Sequence, residues 1–231
     1  SSSVVLDSFT KTSHVGAKYF INVKNQSTGE TSNLECLITH DNTTGYVISY
    51  NEHFSGNNSL ITLTADVSGN TLSLRGSATA GGSTKVIVNR IVAFGDSESN
   101  EETTDSTRKV IGNVVTSSSA TEFDTFQSSD TDAVHYVITG QGGTNENYIS
   151  EATVVTDGTG VFVSHGPHIN TKSETELLVL SATISGGTVS VKAASLSGAT
   201  AVQAYAVRIK APAVTTGTID SWATASYRGA K

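Results

Sequence analysis

The chain has no methionine, one cysteine, two prolines and one tryptophan among its 231 residues. Because methionine is missing, there is no initiator residue, and we expect a chain that is processed or cut from a longer one. With one cysteine no disulfide can form within the chain, so stability must come from strand pairing, core burial or assembly. Cys36 lies in an apolar run and is expected to be a buried structural thiol.

The sequence also lacks basic character, long apolar runs and helical periodicity. A formal net charge of −7 argues against non-specific nucleic-acid binding, which requires a basic face. No apolar run is long enough to span a membrane and no signal peptide is visible, so we expect no membrane insertion. No long stretch places apolar residues at the 3.6-residue period of an amphipathic helix.

A repeat with a period of about 117 residues dominates the chain. The clearest match joins Leu6-Asp7-Ser8-Phe9 to Phe123-Asp124-Thr125-Phe126. The other matching segments are 17–20 with 134–137, 35–38 with 151–154, 65–69 with 182–186, and 88–91 with 206–209. Chance similarity would not hold one register over this length, so the chain is a tandem duplication.

The C-terminal segment opens a third copy. Ile219-Asp220-Ser221-Trp222 matches residues 6–9, and residues 228–231 match residues 15–18 at the same spacing. We expect Ile219, Asp220, Trp222 and Tyr227 to form an interface. In this hypothesis the segment adds a strand to the sheet of a neighbouring chain or lies extended toward the rest of a third repeat.

Apolar residues alternate with polar ones along both copies, and the loops between them are polar and rich in glycine. This pattern predicts an all-β fold: two tandem antiparallel β-sandwich domains of about seven strands each, plus the opening strand of a third repeat. The predicted units are residues 1–94, residues 119–211, and a linker with the first strand of an incomplete repeat at 212–231. An acidic linker occupies 95–118, within which 108–115 could add a strand to the second copy or pack between the copies.

Two histidines are candidate metal ligands. His165 and His168 lie in a His-Gly-Pro-His segment that we expect to be a loop, and neutral imidazole is a common ligand. No cysteine or acid stands at ligand spacing in that segment, so a site would require histidines from several chains, as in a trimer. The acidic linker lacks the glycine that a calcium loop needs, because Glu101 stands there. We therefore predict no metal site and no cofactor.

The sequence predicts no catalytic residue. A Gly-x-Ser-x-Gly nucleophile elbow is absent, and no pair of acids stands in the loop context of a glycosidase. Asp7, Asp124 and Asp220 recur at the same point of each copy, which favours a structural role: this aspartate either caps a turn or satisfies backbone donors beside the opening strand. Five aromatic residues could instead form a sugar-binding platform, although core packing is the simpler interpretation: Tyr46, Tyr50, Phe162, Tyr205 and Trp222.

The repeat resembles one found in virion structural proteins of tailed marine phages, notably cyanophage myoviruses. The resemblance is carried by Leu6-Asp7-Ser8-Phe9, by Gly16-Ala17-Lys18-Tyr19-Phe20, and by residues 219–231. It continues in the acidic strand 35–38, the His40-Asp41 loop, the hairpin at 67–70 and Arg90. The second copy departs from the pattern, since Thr156-Asp157 replaces the His-Asp pair and His135 replaces the lysine.

The resemblance implies a structural component of a virion, in a fibre, baseplate, neck or capsid surface, without catalysis. We expect the partners to be other copies of the chain and other virion proteins, with a host surface glycan as a further candidate. The alternative function is a receptor- or carbohydrate-binding adhesin module. A groove lined by exposed aromatic residues with polar neighbours would favour that alternative.

Overall fold

The computed structural model describes residues 2–79, 81–93 and 108–210. The described chain is all-β, with fifteen strands in four antiparallel sheets, which confirms the predicted β-sandwich fold class. The described residues contain no helix of the length and hydropathy that crossing a membrane requires. Residues 219–231, predicted to open a third repeat, and the acidic segment 95–107 lie outside the described residues.

The first repeat contains seven strands in two sheets. The strands are β1 (Val4–Thr10), β2 (Gly16–Asn25), β3 (Thr31–His40), β4 (Gly45–Phe54), β5 (Ile61–Ser68), β6 (Thr71–Ala78) and β7 (Thr84–Ala93). Sheet A has the order β1-β6-β5, and sheet B has the order β4-β3-β2-β7.

The second repeat follows the same order and adds one strand in front. Its strands are β8 (Arg108–Thr116), β9 (Thr121–Gln127), β10 (Ala133–Gln141), β11 (Asn147–Thr156), β12 (Val161–Asn170), β13 (Leu178–Ser185), β14 (Thr188–Ser195) and β15 (Thr200–Ile209). Sheet C has the order β12-β11-β10-β15-β8, and sheet D has the order β13-β14-β9. The extra strand β8 pairs with β15, so it extends the second repeat.

Each repeat has its own hydrophobic core between its two sheets. Alternation along β2 sends Tyr19 and Ile21 into the first core, where they meet Leu72 and Leu74 of β6. The second core places Tyr136 and Ile138 of β10 in the same way. Cys36 is fully buried in the first core, and burial raises the pKa of its thiol to about 12, which agrees with the predicted structural role.

The outer faces of sheets B and C pack against each other. A third apolar cluster lies there, formed by Leu37 of the first repeat with Val137 and Ile149 of the second, all at most 1% exposed. Tyr50 and Ile169 pack against this cluster from β4 and β12. The four sheets are therefore layered in the order A, B, C, D.

Candidate functional site

Each repeat is locked by an aspartate, a tyrosine and an arginine. In the first repeat, the Tyr19 hydroxyl donates to Oδ2 of Asp7 at 3.0 Å, and Arg90 Nη1 lies 2.9 Å from the same oxygen. Arg90 also donates to the Ser8 carbonyl and lies over the Phe9 ring at 5.4 Å. This lock joins β1 of sheet A to β2 and β7 of sheet B.

The second repeat reproduces the lock with deeper burial. The Tyr136 hydroxyl donates to Oδ2 of Asp124 at 2.8 Å, and Arg208 Nη2 lies 3.0 Å from Oδ1. Arg208 also donates to the Thr125 carbonyl and lies over the Phe126 ring at 6.0 Å. The Asp124 side chain is 0% exposed, compared with 27% for Asp7.

The recurrent aspartate does not cap a turn, but Asp124 Oδ1 accepts from the backbone amide of Thr125 at 2.9 Å, in line with the alternative role beside the opening strand. Asp7 and Asp124 lie within β1 and β9, and a bulge precedes each of them in the pairing with β6 and β14. A bulge re-aims the side chains that follow it, and here it turns the carboxylates toward the tyrosine and arginine. Burial, reinforced by Asp7 and Asp124, raises the pKa of Tyr19 and Tyr136. Asp220, the third recurrence, lies outside the described residues.

A buried charge cluster connects the two repeats beside their shared apolar contact. Lys18 Nζ lies 2.6 Å from Glu35 Oε2 in its own sheet and 2.5 Å from Glu151 Oε1 in the second repeat. Tyr50 donates to Glu151 at 2.5 Å, and His135 Nε2 lies 3.5 Å from the other Glu151 oxygen. Every charge in this cluster has an opposite partner, as a buried group requires.

Burial and the neighbouring Lys18 shift the pKa values of Glu35 and His135 in this cluster. Burial opposes the charge on Glu35, but hydrogen bonds from Lys18 and Asn51 outweigh it and lower the pKa of that carboxyl. Burial lowers the pKa of His135, and Lys18 adds to this effect while Glu151 opposes it. The folded protein therefore favours a charged Glu35 and a neutral His135.

Two non-equivalent loops, one between β3 and β4 and one between β10 and β11, join the repeats at one edge of this interface. Asn147 Nδ2 donates to the His40 carbonyl at 2.5 Å, and Asn42 Nδ2 donates to Asn145 Oδ1 at 2.9 Å. The His40 ring accepts from the Asn42 amide at Nδ1 and lies 3.1 Å from the His14 carbonyl at Nε2, which fits a neutral ring with the proton on Nε2. Burial lowers the pKa of His40, in agreement with that assignment.

Equivalent residues of the two repeats do not meet at this interface. Strand pairing makes Lys18 the counterpart of His135, and Phe20 the counterpart of Val137. The first repeat contributes what we call its docking half, which comprises Gly16, Lys18 and Leu37. The second contributes its receiving half, which comprises Val137, Ile149, Glu151 and Ile169. The contact is therefore head-to-tail rather than self-complementary.

The receiving half of the first repeat is open. It forms a groove of about 280 Å³ lined by the side chains of Phe20, Asn22, Asn33, Glu35, Asn51 and His53, with Ile21 and Leu34 beneath them. By strand pairing, Phe20, Asn33 and His53 occupy the places that Val137, Ile149 and Ile169 hold in the second repeat. The groove is thus the polar counterpart of a surface that the second repeat uses for packing.

In the second repeat the counterparts of the docking half are Ala133, His135 and Thr153, and an exposed apolar patch lies beside them. Val155 and Phe162 lie opposite each other in β11 and β12 and are 44% and 67% exposed. Ile209, opposite Ala133 at the adjoining edge, is 53% exposed. His135 lies beside them with about a third of its side chain exposed. Each repeat therefore keeps one half of its outer face uncovered by the other.

The predicted histidine pair lies in a strand, not in a loop. His165 and His168 are part of β12, and each has a separate partner: His165 Nδ1 lies 3.3 Å from Glu176 Oε1, and His168 Nε2 lies 3.3 Å from the Glu174 carbonyl. The loop expectation failed because the strand continues through a bulge opposite Glu151. Within 2–79, 81–93 and 108–210, no group of three or more His, Cys, Asp or Glu side chains could hold a metal ion.

Of the five predicted aromatic residues, the four that the structure describes lie in different parts of the molecule. Tyr46 donates to Asp41, Tyr50 lies in the repeat interface, and Phe162 is exposed on the second repeat. Tyr205 pairs opposite Val137 in β15, whereas Trp222 lies outside the described residues, as do Ile219, Asp220 and Tyr227. Phe20 is the ring that sequence reasoning missed. Alternation from the core residue Tyr19 would have placed it on the outer face.

No protein-family model, curated protein or solved structure matches this chain.

Proposed function

We propose that this chain is a structural repeat protein of a virion, in which β-sandwich repeats join head to tail. The head-to-tail contact between the two repeats carries the proposal. A self-complementary contact closes after two units, whereas a contact between unlike halves leaves one half free at each end and can continue. The sequence resemblance to virion proteins of tailed phages supports the assignment to a particle.

The two free halves differ in a way that suits an array. Asn33 and His53 make the open receiving half of the first repeat polar, as expected of a terminal unit that faces water. Val155 and Phe162 place an exposed apolar patch beside the open docking half of the second repeat. The partner that fits this apolar surface is a further repeat with an apolar receiving half like that of the second repeat.

The virion assignment is tested on particles of the source virus. Purified particles, digested and analysed by quantitative mass spectrometry, should contain this chain at a fixed ratio to the other structural proteins. Antibody against the two repeats should label one defined part of the particle in electron micrographs. A chain that is abundant in infected cells but absent from washed particles would overturn the proposal.

A further inference from the structure

We propose that the open groove of the first repeat binds a neutral saccharide, with the sugar ring on Phe20 and its hydroxyls on Asn22, Asn33, Glu35 and His53. The groove lies on the outer face of sheet B and has a volume of about 280 Å³, close to the lower end of small-molecule sites. This binding site is additional to the structural role proposed above.

Strand pairing arranges the groove as two parallel rows. Asn22 of β2 lies opposite Asn33 of β3, and Asn33 lies opposite His53 of β4. Neighbouring strands are about 4.8 Å apart, so three polar side chains stand side by side at that spacing. The adjacent row contains Phe20 and Glu35, which are directly paired across β2 and β3. An aromatic face thus lies beside a line of hydrogen-bonding groups.

The polar side chains of the first row retain hydrogen-bonding capacity. Among the described residues, no hydrogen bond or ion pair engages the side chains of Asn22, Asn33 or His53, and all three are exposed. The amides each offer two donors and one acceptor oxygen, which match the paired donor and acceptor character of sugar hydroxyls. Glu35 is held in place by Asn51 at 3.2 Å and by Lys18 at 2.6 Å.

The ring of Phe20 offers a partly exposed platform beside a paired cation. It is 38% exposed, and the Lys18 ammonium lies 4.7 Å from its centroid. Lys18 itself is held by Glu35 and Glu151, so the ring has a stationary neighbour. A pyranose has an apolar C–H face that can cover such a ring while its hydroxyls point sideways to polar groups.

Comparison of the two repeats favours a polar ligand over another repeat. The backbone is the same, but Ile149 and Ile169 of the buried receiving half are replaced by Asn33 and His53 in the open one. A dry apolar partner seated there would bury both polar side chains without hydrogen bonds, which costs about 1–3 kcal/mol for each group. An anionic ligand is disfavoured, because Glu35 lines the groove and Lys18, the neighbouring cation, is already shared between Glu35 and Glu151. A neutral ligand rich in hydroxyls meets both conditions.

The test uses the full chain labelled with ¹⁵N and a panel of methyl pyranosides of glucose, galactose, mannose and N-acetylglucosamine. At least one glycoside should shift backbone amide signals of β2, β3 and β4 around the groove in a saturable way. Phe20→Ala and Asn33→Ile should each weaken that binding at least about tenfold. Phe162→Ala, which removes a more exposed ring from the second repeat, should leave it unchanged. Retained amide spectra show that the variants are folded.

Three results would overturn the inference. They are a panel in which no glycoside moves the groove signals, binding that survives both groove variants, and binding that Phe162→Ala abolishes. Failure here is separable from failure of the virion role. A particle component that binds none of these sugars contradicts only the groove, whereas a sugar-binding chain missing from particles contradicts only the structural role.

Discussion

The ammonium of Lys18 lies 2.5 Å from a carboxylate oxygen of Glu151, and this ion pair joins the two repeats. Both side chains are largely buried, at 4% and 8% exposure. Glu151 also accepts from Tyr50, so the carboxylate connects two strands of the first repeat to the second. When the charge of Glu151 is removed, Lys18 keeps only Glu35 as a counter-charge.

Glu151→Gln should lower the free energy of unfolding by about 2 kcal/mol, because a buried cation loses one of its two counter-charges. Urea denaturation measured by fluorescence is sufficient to detect this loss. Glu35→Gln is the matched control, since Glu35 is the counterpart of Glu151 but is 23% exposed and belongs to the same repeat as Lys18. Its cost should stay below about 1 kcal/mol. Equal losses for the two variants would contradict the assigned role of Glu151.

The aspartate–tyrosine–arginine lock of the second repeat should contribute more to the free energy of unfolding than the lock of the first repeat. Asp124→Asn leaves Arg208 without a buried counter-charge and should cost about 3 kcal/mol, whereas Asp7→Asn should cost about half of that because Asp7 is partly exposed. Thermal or urea unfolding gives both values. Asp66→Asn, at an exposed position of β5, serves as a control with little expected effect. A larger loss from Asp7→Asn than from Asp124→Asn would show that burial does not set the energy of the lock.

Acid should weaken the contact between the repeats through His40 and His135. Both pKa values are lowered from the ordinary 6.5, chiefly by burial. Below pH 6.5 the unfolded chain therefore takes up protons that the folded chain does not, and the free energy of unfolding falls as the pH decreases. The slope is at most about 1.4 kcal/mol per pH unit for each histidine.

Urea unfolding between about pH 7 and 5.5 isolates this effect from Glu35, because that carboxyl has an ordinary pKa of 4.5 that the fold lowers further, and it stays ionised in both states in this window. His135→Gln should reduce the slope in that window while preserving the fold at neutral pH. A wild-type profile that is flat in the window, or an unchanged slope in the variant, would contradict the lowered pKa of His135.

The polar residues in the groove of the first repeat should prevent one chain from associating with another. Asn33→Ile combined with His53→Ile gives this receiving half the two isoleucines of the second repeat, and we expect it to accept the docking half of another chain. Light scattering after size-exclusion chromatography should then show a mass that rises with concentration, unlike that of the wild type. Adding Phe162→Ser should reverse the association by removing the exposed ring from the docking half. Association that persists in the triple variant would point to non-specific aggregation.

Much of the fold could be predicted, because strand alternation and the duplication are both visible in the sequence itself. Tyr19 and Tyr136 each stand twelve residues after their aspartate, so the partners of the lock recur at a fixed distance. The bulges before Asp7 and Asp124 were not predictable, because one extra residue in a strand leaves the alternating pattern almost unchanged. Reading the His165 segment as a loop failed for the same reason.

The groove and the repeat interface depend on which outer faces meet, and one strand pattern allows several such arrangements. Leu37 and Ile149 look like ordinary core residues in the sequence, yet they pack between repeats. Asn33 and His53 look like surface residues in the sequence, and they are exposed. Strand pairing adds that they occupy the positions that Ile149 and Ile169 hold in the second repeat, so that polar residues replace apolar ones there. Sequence comparison of the two copies at those positions would have indicated the difference.

The two locks reach the same geometry from different registers. Arg90 lies opposite Tyr19 in the pairing of β2 with β7, whereas Arg208 lies opposite Val134, two pairs away from Tyr136 in the equivalent strands. A guanidinium on a long side chain can span that difference and still meet its aspartate. Natural variation can therefore slide the closing strand by two residues without breaking the unit. Distant members of this repeat should be recognisable by an aspartate and a tyrosine at fixed spacing, with an arginine whose position drifts.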